Sequence, residues 1–174
     1  FRSRPQAGPL DFAPTPAPSA VCGSSVASRL LQERGVAERQ ADAAREHLAA
    51  AGLTADIDVH YRDSASPGSS LTLWTDETVR RGADALGRKG LAAEEVGRQT
   101  ARLLVERARH PAPVEEHLAD NLIPLLGMLG GTLHCQVVSP HTRANVYVVE
   151  RFAGQPFEVE GERISFQPRS RWWR

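Results

Sequence analysis

The sequence has little of what disulfide-rich or membrane-spanning proteins need. It contains two cysteines, Cys22 and Cys135, which lie far apart and lack the spacing of metal ligands. We therefore expect small buried thiols in a reducing compartment. No apolar run is long enough to cross a bilayer, because Asn121 and Pro124 interrupt the strongest candidate. No basic leader precedes an apolar segment after Phe1, so we expect a cytoplasmic protein with neither a secretory signal nor a membrane partner.

The chain also lacks an excess of charge of either sign. It carries 21 basic and 21 acidic side chains, so its formal net charge is zero. Proteins that hold nucleic acid by bulk electrostatics usually show a basic excess, so that mode is not indicated, although a local basic groove is still compatible. A G-x-x-x-x-G-K-[ST] phosphate loop is missing as well. The composition, with 41% hydrophobic and 24% charged residues over 174 positions, is typical of a globular protein of one domain or two small ones.

Periodicity in the first half of the chain predicts a small α+β module. Residues 1–19 are rich in proline and indicate an extended lead-in. Apolar residues on one face predict a helix over 36–51. Alternation predicts a strand over 55–61, and a turn cluster leads to further strand candidates at 71–74 and 78–86. A helix followed by strands within such a short segment favours an α+β arrangement.

The second half predicts two helices followed by strands. The first helix carries an apolar stripe and ends at a His-Pro-Ala-Pro sequence, and the second runs from Glu115 to the glycine pair at 130–131. A strand over 132–138 and a hairpin over 155–167 follow. Residues 145–152 are ambiguous, because their β-branched residues favour a strand while their polar residues do not alternate. The leucines expected to face the core from the second helix are Leu118, Leu122, Leu125, Leu126 and Leu129.

Three blocks in the last third resemble the RNA 3′-terminal phosphate cyclase family, in the family's order. Glu116–Asn121 (EHLADN) is similar to its His-Leu-Ala-Asp-Gln block, which precedes an apolar helix containing proline. Ser139–Asn145 (SPHTRAN) matches the block with the nucleophilic histidine and an asparagine four residues later, and Val148–Phe152 (VVERF) follows it. Each block alone is weak, whereas the three together are specific. A looser similarity extends towards the N-terminus, so the chain resembles the C-terminal half of the family's members.

The resemblance implies an α+β fold, an α/β sandwich, made of two parts. Residues 1–9 are then an extended lead-in, 10–86 a thioredoxin-like insert domain, 87–167 a C-terminal repeat carrying the nucleophile, and 168–174 a tail. The repeat is expected to be of β-α-β type, similar to the C-terminal domain of translation initiation factor three. The resemblance also implies a helix over 142–152, against the local propensity of that segment. The basic and aromatic tail could stack on bases or simply fray.

The reaction implied by the resemblance converts an RNA 3′-phosphate end into a 2′,3′-cyclic phosphate at the expense of ATP. In it His141 attacks the α-phosphate of ATP and carries AMP to the RNA end, with Mg²⁺ or Mn²⁺ assisting through ligands that stay unassigned. A neutral imidazole can attack and later leave. If His141 begins a helix, the helix dipole disfavours its charged form and the backbone N–H groups face a phosphate. The alternative for a lone histidine is an ordinary surface or core residue.

Local arguments and the resemblance together indicate further site residues around the nucleophile. Pro124 lacks an N–H and so leaves the carbonyl of Asp120 without a helical partner; that carbonyl could hold a nucleotide or belong to a bent core helix. Arg143 could meet phosphate or face solvent. Asn145, one turn after His141, could orient its ring, accept a substrate hydroxyl or be an ordinary buried amide. The block implied to bind ATP comprises His117, Leu118, Ala119, Asp120 and Asn121, the last standing where the family more often has the longer Gln.

The family's N-terminal half, with a Gly-rich stretch and with metal and triphosphate ligands, has no counterpart in this sequence. We therefore expect an enzyme that acts on RNA with a 3′-phosphate end but is incomplete without that half, supplied in the same chain or a second one. One alternative is a catalytically inert, cyclase-like RNA-binding protein of ribosome assembly. Such relatives lack the nucleophilic histidine, so His141 argues against it. Another alternative is a different nucleotidyl transferase of the same fold, with no preference for RNA 3′-phosphate ends.

Overall fold

A computed structural model describes residues 8–169, and their contacts divide the chain into two compact units. We call Pro16–His110 the inner unit, and the described residues of Phe1–Thr15 and Pro111–Arg174 the outer unit. Predictions for residues 1–7 of the lead-in and 170–174 of the tail fall outside the described residues. The elements, in chain order, are β1 (Leu10–Phe12), β2 (Ala20–Ser28), a 3₁₀ helix (Arg29–Arg34), α1 (Val36–Ala50), β3 (Thr54–Arg62), β4 (Ser69–Thr75), β5 (Gly82–Leu86), α2 (Ala93–Arg109), α3 (Glu116–Leu129), β6 (Gly131–His134), α4 (Pro140–Ala153), β7 (Glu158–Glu160) and β8 (Arg163–Phe166).

The inner unit is a four-stranded mixed sheet with two helices packed on it and on each other. Its strand order is β3-β2-β4-β5, in which β2 runs parallel to β3 and antiparallel to β4, and β4 pairs antiparallel with β5. The α+β class is confirmed for this unit, while its likeness to thioredoxin stays a prediction. The core between sheet and helices includes Val21, Leu48, Ile57, Leu71, Leu73 and Leu104.

The central strand β2 has no counterpart in the sequence-based prediction. Its composition is dominated by small and polar residues, which have little intrinsic preference for strands. Close packing explains them: a Cβ at Gly23 would come within 2.6 Å of Leu73 Cδ2 and 3.1 Å of the Thr72 carbonyl oxygen. Ser25 is fully buried, and its hydroxyl donates to the carbonyl of Ala37 at 2.7 Å. Tertiary contacts, rather than propensity, therefore make this segment the centre of the sheet.

The division between the two units differs from the predicted boundary between residues 86 and 87. Helix α2 belongs to the inner unit, where Gly97 lies so close to α1 that a Cβ would overlap the backbone oxygen of Gln40 and crowd Ala43. At the other end, the insert domain was expected to begin at residue 10, but residues 10–12 form β1, which pairs in parallel with β6 of the outer unit. The predicted boundary followed the order of elements along the chain, whereas burial of the apolar face of α2 against α1 decides its membership.

The outer unit is a four-stranded sheet of order β1-β6-β8-β7, with α3 against the sheet and α4 against α3. Strand β1 is parallel to β6, and the β6–β8 and β8–β7 pairs are antiparallel. The predicted hairpin near the C-terminus is confirmed as β7 and β8, whose turn contains Gly161 at a φ of 58°. The core includes Val114, Leu122, Ile123, Leu126, Leu133, Val146, Ile164 and Phe166.

Two predictions for the outer unit are wrong, and a third is confirmed. Strand β6 ends at His134 instead of residue 138, because Cys135 forms only an isolated bridge with Val114 before the chain leaves the sheet. Leu125 is 44% exposed, so it does not face the core, and Ile123 is buried instead. The helix expected over 142–152 from the resemblance is confirmed as part of α4. Within residues 8–169, no helix is both long enough and apolar enough to span a bilayer.

Candidate active site

His141 occupies the second position of helix α4, after Pro140, and its side chain is exposed. Ser139 precedes the helix as its N-cap, with extended backbone and a side chain that accepts from the N–H of Thr142 at 3.1 Å. Serine before a helix and proline at its first position are both favoured, because each compensates for the N–H groups that a helix start leaves unbonded. The sequence Ser139–Pro140 thus fixes where α4 begins and sets His141 in its first turn.

The first turn of α4 offers one backbone donor to a ligand. Pro140 has no N–H, Thr142 donates to the Ser139 hydroxyl, and Arg143 donates to the Ser139 carbonyl at 3.0 Å. Among residues 8–169, nothing accepts from the N–H of His141. An anion in front of this turn would therefore meet the ring of His141, its N–H and the positive end of the helix dipole together.

Asp120 of α3 and two hydroxyls of α4 join the helices beside the histidine. The Oδ1 atom of Asp120 accepts from Thr142 Oγ1 at 2.6 Å and from Ser139 Oγ at 3.2 Å. The two hydroxyl oxygens are also 3.0 Å from each other, and both residues are buried. Hydrogen bonds to a carboxylate are stronger than those between neutral groups. The residues on both sides of His141 in the sequence are thus held to α3.

Asn145 completes this connection through the backbone of α3. Pro124 lies inside α3 and cannot donate to the carbonyl of Asp120, as predicted. In the structure, Nδ2 of Asn145 donates to that carbonyl at 3.0 Å. A carbonyl without its helical partner needs such a donor. We call Asp120, Ser139, Thr142 and Asn145 the interhelix network.

The block over 117–121 divides into core and exposed side chains. Ala119 is fully buried and Leu118 packs against the core, so their side chains stabilise the fold. His117 and Asn121 are exposed, and Nδ2 of Asn121 donates to the His117 carbonyl at 2.7 Å. Glu115 caps the start of α3 by accepting from the N–H groups of both His117 and Leu118. This turn of α3 therefore presents His117 and Asn121 outward while Asp120 faces α4.

Arg143 is exposed and, within residues 8–169, forms no ion pair with a carboxylate. Its guanidinium is consequently available to an anionic ligand. Sequence reasoning had assigned no role to Ser139 or Thr142, although both are buried members of the interhelix network. A serine followed by proline at the start of a predicted helix is a capping signature, so the role of Ser139 could have been read from the sequence.

The described residues do not form a metal site of their own. Across positions 8–169 no group of three His, Cys, Asp or Glu side chains is arranged to hold an ion. Asp120 is already engaged by two hydroxyls and could contribute at most one ligand among several.

Comparison with known proteins agrees with this architecture. Residues 16–109 match the model of the insert domain of RNA 3′-terminal phosphate cyclase (RTC), a range that nearly coincides with the inner unit. The chain is similar to the RNA 3′-terminal phosphate cyclase of Pyrococcus furiosus, with 43% identity over 127 residues, which cover 72% of this chain and 37% of the relative. The corresponding protein of Pyrococcus abyssi is 39% identical over 128 residues, covering 73% and 37%. That of Pyrobaculum neutrophilum is 38% identical over 148 residues, covering 82% and 42%.

The structure is therefore of a protein in which an insert domain interrupts a second α+β unit. The chain belongs to the RNA 3′-terminal phosphate cyclase family. It spans between 37% and 42% of the length of these three relatives.

Proposed function

We propose that this chain carries the nucleophile of an ATP-dependent RNA 3′-terminal phosphate cyclase. In the first step a ring nitrogen of His141 bonds to the α-phosphorus of ATP, and the bond from that phosphorus to the pyrophosphate oxygen breaks. AMP then passes to an oxygen of the RNA 3′-phosphate, and the ring nitrogen leaves. Finally the adjacent 2′-hydroxyl bonds to the 3′-phosphorus, gives up its proton and expels AMP, which closes the 2′,3′-cyclic phosphate.

The exposure of His141 in the first turn of α4 is the observation that supports this proposal most directly. A nucleophile must be reachable by its substrate, and a phosphate favours the positive end of a helix. The N–H of His141 and the guanidinium of Arg143, neither of which has a partner among residues 8–169, supply two further donors for phosphate oxygens. The interhelix network can fix the orientation of the histidine, because it holds Ser139 and Thr142, which flank His141 in the sequence.

The residues of α3 supply the proposed adenylate side of the site. Asp120 connects α3 to the residues that flank His141, so a nucleotide bound on this turn of α3 would lie near the nucleophile. His117 and Asn121 are the exposed polar side chains of the block and are the proposed contacts to the nucleotide. Leu118 and Ala119 take part through the backbone that carries those side chains.

The proposal includes a second part of the enzyme that this chain does not contain. An apolar patch on α4 supports it: Tyr147, Val148 and Phe152 are 58%, 48% and 72% exposed. Apolar groups that recur along one helix usually mark a surface that another element covers. We propose that the N-terminal half of the enzyme, in the same chain or another, covers this patch and supplies the ligands for the metal and the triphosphate.

Transfer of label from ATP tests the assignment. We would replace the segment of the Pyrococcus furiosus relative that aligns with this chain by the corresponding segment of this chain, extended where necessary to include residues 34–145. The chimera is then incubated with ATP labelled at the α-phosphate. We expect an acid-labile protein adduct that His141→Ala abolishes and His134→Ala retains. Addition of RNA with a 3′-phosphate should discharge the adduct and form the cyclic end, whereas RNA with a 3′-hydroxyl should not.

Each alternative gives a different result. A label retained in His141→Ala, or lost only in His134→Ala, would contradict the nucleophile assignment. An adduct that forms but ignores the 3′-phosphate would indicate another nucleotidyl transferase. A folded chimera that binds RNA without accepting label would indicate an inert RNA-binding relative.

A further inference from the structure

The inner unit contains a groove of about 660 Å³ that the proposed reaction does not use. It is lined by the end of the 3₁₀ helix, the start of α1, the turn before β4, the loop over 87–92 and the first residues of α2. Its volume falls within the range of small-ligand sites in proteins, about 300 to 1,000 Å³.

The groove is basic although the chain as a whole is neutral. Its lining contains four cationic side chains and no aspartate or glutamate. Arg39 is engaged with Glu94, at 2.6 and 2.8 Å from its two carboxylate oxygens, and this contact holds α1 to α2. The other three cations are Arg34, Arg88 and Lys89. They are exposed and form no ion pair within the described residues.

Most of the remaining lining is apolar, and hydrogen bonds hold the loops that carry it. Leu31, Val36, Leu91 and Val96 contribute apolar surface, and Val36 and Val96 are largely buried in the core below. The surrounding loops are held by backbone hydrogen bonds of 2.8 Å from Ser28 to the Gly68 carbonyl and from Gly87 to the Ser69 carbonyl. These bonds anchor the backbone of the loops that line the groove.

We infer that this groove binds a short stretch of single-stranded RNA. Arg34, Arg88 and Lys89 contact its phosphates, and the apolar side chains of the lining, which we call the apolar floor, contact unpaired bases. The inference rests on the proposed function, which makes RNA the substrate, and assigns the insert domain a role in holding it. A lone phosphate would use the cations and leave the apolar floor bare. A duplex keeps its bases stacked inside, whereas a single strand can turn a base onto a protein surface.

Fluorescence anisotropy of the intact chain with a labelled oligoribonucleotide of about ten nucleotides and a 3′-hydroxyl end tests the inference. With three phosphates neutralised on a single strand, the slope of log affinity against log salt should be about −2. Affinity should then fall about 18-fold between about 50 and 200 mM salt. In the triple variant R34Q/R88Q/K89Q the slope should approach zero and binding at low salt should be lost.

A matched triple variant removes the same charge from the exposed face of α2: R98Q/R102Q/R109Q. It should bind RNA as the unaltered chain does, and circular dichroism should show both variants folded. Equal losses in the two variants, no loss in the groove variant, or equal affinity for duplex RNA of the same length would each overturn the inference.

The result is separable from the test of the proposed function. His141→Ala should bind the oligoribonucleotide normally, and the groove variant, placed in the chimera, should still accept label from ATP. A chimera with His141 intact that takes no label, while the chain binds RNA through the groove, would count against the cyclase mechanism alone. Normal labelling with no groove-dependent binding would count against the groove alone.

Discussion

Replacing Thr142 by valine should weaken the outer unit, because it deletes one hydrogen bond of the interhelix network while conserving the shape of the side chain. Thr142 is fully buried, and its hydroxyl donates to Asp120 at 2.6 Å. Hydrogen bonds to charged groups contribute about 1.5–3 kcal/mol. Asp120 is only half-buried and keeps the Ser139 hydroxyl at 3.2 Å, so the lower part of that range applies. We expect a loss of about 1.5–2 kcal/mol in the free energy of unfolding.

A double-mutant cycle separates this bond from other effects of the substitution. Urea unfolding followed by circular dichroism would compare Thr142→Val, Asp120→Ala and the double variant, since alanine removes the carboxylate oxygen that accepts from Thr142. The coupling energy should be about 1–2 kcal/mol, as for residues in direct contact. Hydrogen exchange should rise in α3 and α4 and stay unchanged in the inner unit. A coupling below about 0.5 kcal/mol, or faster exchange spread evenly over both units, would refute the reasoning.

Three further predictions concern Asn145, Gly97 and Cys135. Asn145→Ala should lower the free energy of unfolding, measured in urea, by about 1–3 kcal/mol, because the carbonyl of Asp120 then has neither its helical partner nor a side-chain donor. Gly97→Ala should destabilise by about 1–3 kcal/mol despite the better helix propensity of alanine, since the new methyl group meets the Gln40 backbone; thermal unfolding measures it. Burial raises the pKa of the Cys135 thiol to about 11, so at about pH 8 roughly one molecule in a thousand is the reactive thiolate, and alkylation followed by peptide mass spectrometry should find it protected.

Each of these expectations has a control in the chain. Asn121→Ala removes a hydrogen bond to the carbonyl of His117, an exposed residue, and should lower the free energy of unfolding by a few tenths of a kcal/mol. A loss as large as that of Asn145→Ala would contradict the role of Asn145. A Cβ at Gly68 meets nothing within 4 Å, and Gly68→Ala should be nearly neutral. Cys22 is half-buried and should be alkylated first; the opposite order would contradict the stated protection of Cys135.

Local sequence signals predicted the elements whose apolar pattern is complete within one segment. Helix α1 was predicted from its apolar face, and the hairpin of β7 and β8 from Glu160–Gly161. Helix α4 was visible only through the family resemblance. Its β-branched residues favour a strand locally, but the Ser139 cap, a proline at its first position and a left-handed Gly154 (φ 66°) define a helix. The ends of this segment were more informative than its middle.

The candidate site was predictable as a set of residues but not as an arrangement. The motif around His141 and the missing N–H of Pro124 both follow from residue identity, and so does the freed carbonyl of Asp120. That Asn145 satisfies this carbonyl was not predictable, because the donor lies 25 positions away and reaches it only when α3 and α4 pack together. The tertiary structure thus shows that the freed carbonyl receives a donor from a second helix.

By itself, the sequence determined the α+β class, most helix positions and the identity of the histidine block, because these depend on periodicity, caps and motifs within a few residues. Only the tertiary structure decided that β2 is the central strand, that α2 belongs to the inner unit, and that Asp120 holds Ser139 and Thr142. These features depend on which surfaces bury one another. Burial is a property of residues distant in sequence, and no local pattern encodes it.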